Sequence, residues 1–189
     1  AAEMQPLAGA VLSHLLRAEG ARVYAVSTRP LGPAMAEAAR EQEDVAALLA
    51  GQQEAWTNLG YLPGRAVGIN SLVNGAPAGA RSPFAADAAG QPTGLGARDL
   101  EDLDVDLIVV LAARPEDVQV WIEQAGALAG EGQGMVAAVS QRALPAAQPY
   151  VASGQLAGTL SGLSDAAAYR ALLGGPPWLP GGVARAAGL

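Results

Sequence analysis

The chain contains no cysteine and no lysine, and only one histidine, His14. These gaps remove whole classes of chemistry. All eleven basic residues are arginines, so a Schiff-base lysine and the lysine of a phosphate-binding P-loop are both excluded. Thiolate nucleophiles and multi-Cys or multi-His metal centres are excluded with them. Aromatic residues are scarce, with a single Phe, so the core must be built from aliphatic side chains and close backbone approaches. Long apolar runs are missing too: the longest, Leu107 to Ala113, is about a third of the ~20 residues that a membrane-crossing helix needs. The chain opens Ala1-Ala2-Glu3, with no initiator methionine and none of the regions of a signal peptide.

What is present suits one folded domain. A chain of 189 residues can bury roughly 70% of its unfolded surface without disulfide support, and cysteine-free chains occur in either redox compartment. The net charge of −7 disfavours a phosphate backbone or an anionic membrane surface as partner, so no nucleic acid is expected.

Hydrophobic spacing predicts a helix over residues 6–18 and a strand over Arg22–Ser27. A long helix follows over 33–50, with Pro33 in its first turn and Gly51 at its end. Trp56–Leu62 reads as a second strand and Ala66–Val73 as a short helix. Val105–Ala112 is the strongest strand signal, a nearly continuous apolar run suited to the middle of a parallel sheet. After it come a helix from Pro115, a strand over Met135–Ser140, a helix over Leu144–Ala152, a strand over Gln155–Leu160 and a helix over Asp165–Leu173. Five strands alternating with helices predict a three-layer α/β sandwich around a mostly parallel five-stranded, Rossmann-like sheet. One α/β domain then covers 1–174, with an irregular insertion over 74–98 expected to be less ordered than the rest, and a Pro/Gly-rich tail over 175–189.

Ligands of such sheets bind outside the carboxyl ends of the strands. Arg29, Arg65, Arg114 and Arg142 all follow strands there, and Ser27, Ser140 and Ser161 stand at strand ends. A rim of arginines and hydroxyls beside helix amino termini suits a carboxylate or phosphate; solvated turns in a lysine-free chain account for the same pattern. Gly60, Gly64 and Gly68 have the spacing G-x-x-x-G-x-x-x-G rather than a dinucleotide fingerprint, and close strand-to-helix packing explains them. Asp99, Glu101, Asp102, Asp104 and Asp106 could hold a hard cation, but they precede the third strand, at the edge away from the expected site. His14 reads as a partly buried structural residue, and Trp56, Trp121 and Tyr61 as core. No catalytic set, metal site or cofactor emerges.

Several stretches resemble a family of uncharacterised bacterial membrane-associated proteins. They are Leu31-Gly32-Pro33-Ala34-Met35-Ala36-Glu37, Asn58-Leu59-Gly60-Tyr61-Leu62-Pro63-Gly64, Trp121-Ile122-Glu123-Gln124, Pro149-Tyr150, Ser153-Gly154-Gln155-Leu156-Ala157-Gly158 and Ala168-Tyr169. The resemblance implies an extracytoplasmic domain between hydrophobic segments, with an additional strand ahead of the first helix, and brings no activity with it. Arg65 stands where it implies a second glycine, and Arg170 where it implies an acid. The resulting expectation is a non-catalytic binding or scaffolding module of a membrane-anchored protein, touching the membrane only through segments outside this chain, with an unknown protein or a small anion as partner. Two alternatives stay open: a small-anion sensor using the arginine rim, and a hydrolase-type enzyme with a carboxylate or serine and an atypical base.

Overall fold

The structure, a computed structural model, describes residues 2–75, 82–95, 105–126 and 134–174. Within them the order of elements is α1 (Met4–Leu15), β1 (Val23–Ser27), α2 (Gly32–Arg40), α3 (Glu43–Leu49), β2 (Trp56–Tyr61), α4 (Ala66–Asn74), β3 (Leu107–Ala112), α5 (Pro115–Ala125), β4 (Gly134–Val139), α6 (Leu144–Ala152), β5 (Gly158–Ser161) and α7 (Gly162–Leu172). The class is α/β with parallel pairing throughout the named strands.

A single five-stranded sheet does not form. The strands make a two-stranded sheet, β1-β2, and a three-stranded sheet, β3-β4-β5. The strand expected at the centre, β3, lies on an edge of its sheet, and β4 is the internal strand. The apolar run of β3 follows from helices packed on both faces rather than from strands on both sides. Ile108, Val110 and Ala112 turn toward α4, α5 and α6, while Val109 turns toward α1 and α7. The same helical layers cover β1: Tyr24 and Val26 join the first of these clusters, and Val23 packs with α1 and α3. α1 therefore contributes to the cores over both sheets, which accounts for its being buried nearly all round.

The predicted helix over 33–50 is two helices. Gln42 takes an extended conformation between them, and its side-chain amide donates to the Gln5 carbonyl at 2.8 Å. That break turns Val45 and Leu49 onto α1. α7 starts earlier than the apolar spacing indicates, because the Asp165 carboxylate accepts from the Ser161 N–H at 2.7 Å and closes the first turn.

In β2 the ladder skips Leu59, pairing Ala25 with Asn58 and Val26 with Gly60. Gly60 takes the left-handed φ of 91° this bulge requires, and Asn58 Oδ1 accepts its N–H at 3.1 Å. Leu59 is thereby sent into the core. Of the insertion over 74–98, residues 82–95 are described, and they are folded onto the domain. Phe84 is fully buried, and the Ala88 N–H donates to the Asn58 carbonyl at 2.8 Å along the edge of β2. The rest of the insertion beyond Gly75 and the tail over 175–189 lie outside the described residues.

Between β2 and α4 the turn is tight enough to demand glycine. A Cβ on Gly68 would stand 2.1 Å from the Pro63 carbonyl oxygen, a backbone atom with little freedom to move. Gly68→Ala is expected to cost about 1–3 kcal/mol through forced displacement of the turn, measured by urea unfolding; a neutral result would show that the turn yields.

Candidate functional site

The βα turns after β1, β2 and β3 meet around two carboxylates, Asp117 and Glu116. Arg29, two residues past β1, grips Asp117 in the first turn of α5: Nε donates to Oδ2 at 3.1 Å and Nη2 to Oδ1 at 2.5 Å. Arg65, at the entrance to α4, brings Nη2 to 3.7 Å from the same Oδ1. Arg114, which precedes α5, reaches Glu116 at 3.8 Å, and Arg29 reaches that acid at 3.7 Å. Three guanidiniums thus face two carboxylates at the carboxyl edge, beside the amino termini of α4 and α5.

The two kinds of pairing differ in strength. Asp117 holds Arg29 bidentately, the geometry in which an arginine–carboxylate pair is strongest. The hydrogen bond to Asp117 raises the Arg29 pKa above its already high ordinary value. Arg65 and Arg114 have side chains 51% and 59% exposed and touch their acids only at long range, where such contacts contribute little. The Glu116 carboxyl is drawn below the usual carboxylate range, first by a hydrogen bond from its own backbone N–H and then by Arg114, Arg29 and Arg65. A carboxylate held ionised in this way is a poor general base.

Arg65 carries a second peculiarity. Its backbone sits at φ 47°, ψ −114°, and among the described residues it is the one non-glycine with positive φ. Such a conformation costs on the order of 1–3 kcal/mol in a residue with a side chain. A glycine would take it without strain.

Of the other expected site residues, Arg142 stands apart. It follows β4, is exposed, and joins no ion pair within the described residues. The serines serve the turns. Ser27 Oγ accepts from the Arg29 N–H at 3.0 Å and so shapes the turn that presents Arg29. Ser140 is buried, with Oγ donating to the Ala113 carbonyl at 2.9 Å. Ser161 Oγ lies 3.3 Å from the Gln141 amide. His14 is exposed rather than part-buried, and stacks on Tyr169 at a centroid distance of 5.4 Å. Tyr61 is also exposed at 45%. Asp106 is the one member of the acidic cluster within the described residues, and no group of metal-ligating side chains occurs among those residues. Asp117 is the member of this cluster that the sequence does not single out. Its place at a helix start was legible, but its partner lies 88 positions away.

Two hollows open elsewhere. One, of about 410 Å³, lies between α2, β2 and the 82–95 segment. Its Glu37 is already engaged by the side chains of Trp56, Asn58 and Arg40. The other, of about 290 Å³, is an apolar groove at the amino edge, lined by Val11, Leu15, Leu107, Val109, Leu160 and Tyr169 among others. Neither gathers charged groups left free for chemistry, whereas the arginine cluster leaves two guanidiniums loosely held at the edge where α/β sheets bind ligands. No protein-family model matches the chain, and no curated protein or solved structure matches it.

Proposed function

We propose that this chain is a non-catalytic binding module that takes a small anion, a phosphate or carboxylate group, between Arg65 and Arg114, with Arg29 held in place by Asp117 as the fixed member of the cluster. The observation that carries the reading is the gathering of arginines from three separate βα turns around two neighbouring carboxylates, Asp117 and Glu116, at the carboxyl edge. The strained backbone of Arg65 supports it, since strain of this kind concentrates at binding sites. The amino termini of α4 and α5 add their dipoles to the attraction. The absence of chemistry rests on the inventory: no cysteine or lysine, a histidine at the far end of α1, and, within the cluster, one acid paired with Arg29 and one held ionised. As the sequence resemblance implies, we place the module on the extracytoplasmic side of a bacterial membrane, as part of an anchored protein. No helix among the described residues is long and apolar enough to cross a membrane.

Thermal melting in inorganic phosphate, against sodium chloride at equal ionic strength, tests the site. Phosphate at 100 times its Kd should add about 2.7 kcal/mol, or several degrees at roughly 2–4 °C per kcal/mol. Arg114→Ala should weaken the response. Arg65→Gly should abolish most of it while leaving the unliganded protein as stable or more stable, because the glycine relieves the positive φ. Equal responses in all three proteins, or none in any, would reject the anion site.

A further inference from the structure

We infer that Asn74 is a site of spontaneous modification, at which the backbone nitrogen of Gly75 displaces the side-chain amide, releases ammonia, and leaves an aspartate or isoaspartate that loosens the last turn of α4.

The chain has three asparagines, Asn58, Asn70 and Asn74, and their surroundings separate them. The reaction closes a five-membered ring between the asparagine Cγ and the amide nitrogen of the next residue. Three conditions favour it: a next residue with no Cβ to obstruct the approach, a next N–H not tied into a hydrogen bond, and a side chain free to turn. Asn58 fails on the first and the third. It is buried and followed by Leu59. Its amide donates to the Pro33 carbonyl at 3.0 Å and to Glu37 at 2.8 Å, and its Oδ1 accepts from the Gly60 N–H at 3.1 Å. Asn70 is exposed but stands inside α4, followed by Ser71. There the helical ladder fixes the next nitrogen, and swinging it onto Cγ would break a turn of helix.

Asn74 meets all three conditions. It is the last residue of α4, it is exposed, and Gly75 follows it. Gly75 leads the chain out of the helix at φ 81°, ψ 152°, and its N–H donates to no group among the described residues. Rotation about the Asn74 Cα–C bond, which carries that nitrogen toward Cγ, therefore costs no backbone hydrogen bond. The side chain is held by one exposed contact, Nδ2 donating to the Asn70 carbonyl at 3.2 Å. Water replaces such a contact readily.

The step needs no cofactor. The Gly75 nitrogen gives up its proton and bonds to Cγ, the Cγ–Nδ2 bond breaks, and the departing nitrogen takes a proton and leaves as ammonia. A succinimide remains. Water then opens the ring at Cγ to give aspartate, or at the Asn74 backbone carbonyl carbon to give isoaspartate, with the chain continuing through the side chain. Because the attacking nitrogen must lose its proton, the reaction quickens as pH rises. Either product sets a negative charge at the carboxyl end of α4, where the helix dipole is already negative, and an ionised carboxylate cannot donate to the Asn70 carbonyl. Arg65 lies at the other end of this helix, so the inference stands whether or not the arginine cluster binds an anion.

Ageing the full chain at physiological temperature in mildly alkaline buffer tests it. Trypsin cutting after Arg65 and Arg81 releases residues 66–81 as one peptide that carries both Asn70 and Asn74. Fragmentation should place a gain of about 1 Da, NH2 exchanged for OH, at Asn74 and not at Asn70. A methyltransferase specific for isoaspartyl carboxylates should label the aged protein but not aged Asn74→Gln, whose longer side chain would have to close a six-membered ring. In the folded protein Asn74 should react within several-fold of its rate in the isolated 66–81 peptide, whereas Asn70 should be clearly slower than it is there. Amides in the last turn of α4 should exchange several-fold faster after conversion. A rate at Asn74 roughly a hundredfold below that of the peptide, the mark of a helix end that rarely opens, would overturn the inference. Equal reaction at Asn70, or unchanged exchange after conversion, would overturn it as well.

Discussion

Asp44→Ala is expected to lower stability by about 3–5 kcal/mol, because it strands an arginine inside the protein. Arg170 lies on α7 with its side chain only 6% exposed, and Asp44 is in the first turn of α3. Its Nε donates to Asp44 Oδ2 at 3.1 Å, and Nη2 pairs with Oδ1. Removing the acid leaves a positive charge with neither partner nor water. Removing the arginine instead leaves a carboxylate that is 24% exposed and can recover part of its hydration, so Arg170→Ala should cost less through charge, though it also loses the packing of the side-chain stem. The double variant should cost clearly less than the sum, because neither charge is then left alone. Urea unfolding of the four proteins gives the cycle. Singles within about 1 kcal/mol of the parent would place this pair among surface ion pairs, which contribute little, and would contradict its burial.

That ion pair also shows where legibility in the sequence stops. Its partners are 126 positions apart, and nothing local marks either one as half of a pair. The elements themselves were largely legible, because each strand–helix unit announces itself through short-range apolar spacing and turn residues. α6 occupies the predicted span, and β2 and α4 deviate by a residue. What failed was adjacency. An apolar run such as Leu107–Ala112 states that both faces of a strand are covered, but not how many strands flank it, so the run predicts for β3 the central place that β4 occupies. The sequence predicts an unbroken helix over 33–50 because Gln42 is an acceptable helix residue; its extended backbone follows from tertiary demand, the fit of its side chain against α1. For the site, the position rule for α/β sheets selected Arg29, Arg65 and Arg114 from sequence alone. It admitted Arg142 on equal terms, since the rule knows the strand end and not which turns lie side by side. Asp117 was legible as a residue suited to a helix start, and only the fold reveals that it gathers arginines from two other turns.

Phe84→Ala is expected to cost about 3–5 kcal/mol, the loss of a large buried ring plus the cavity it leaves. Phe84 lies in a segment whose Gly, Ala and Pro content suggests an irregular excursion. The ring is fully buried in the core that contains Leu59, Ile69, Val110 and Ile122, so it joins β2, α4, β3 and α5 through a residue that belongs to none of them. Local bonds hold it there. The Phe84 N–H donates to Ser82 Oγ at 3.0 Å, the Thr93 hydroxyl donates to the Phe84 carbonyl, and an antiparallel bridge between Ala86 and Pro92 closes the segment. The same segment covers the edge of β2 through the bond from Ala88 to Asn58. Losing the ring should therefore destabilise the domain and loosen that edge together: the urea midpoint falls, and limited proteolysis gains cuts between residues 82 and 95. Phe84→Leu keeps most of the apolar contact and should cost less than half as much. If instead Phe84→Ala opened the segment to protease while global stability fell by less than about 1 kcal/mol, the segment would be an independently detachable cover, and the core would close without it.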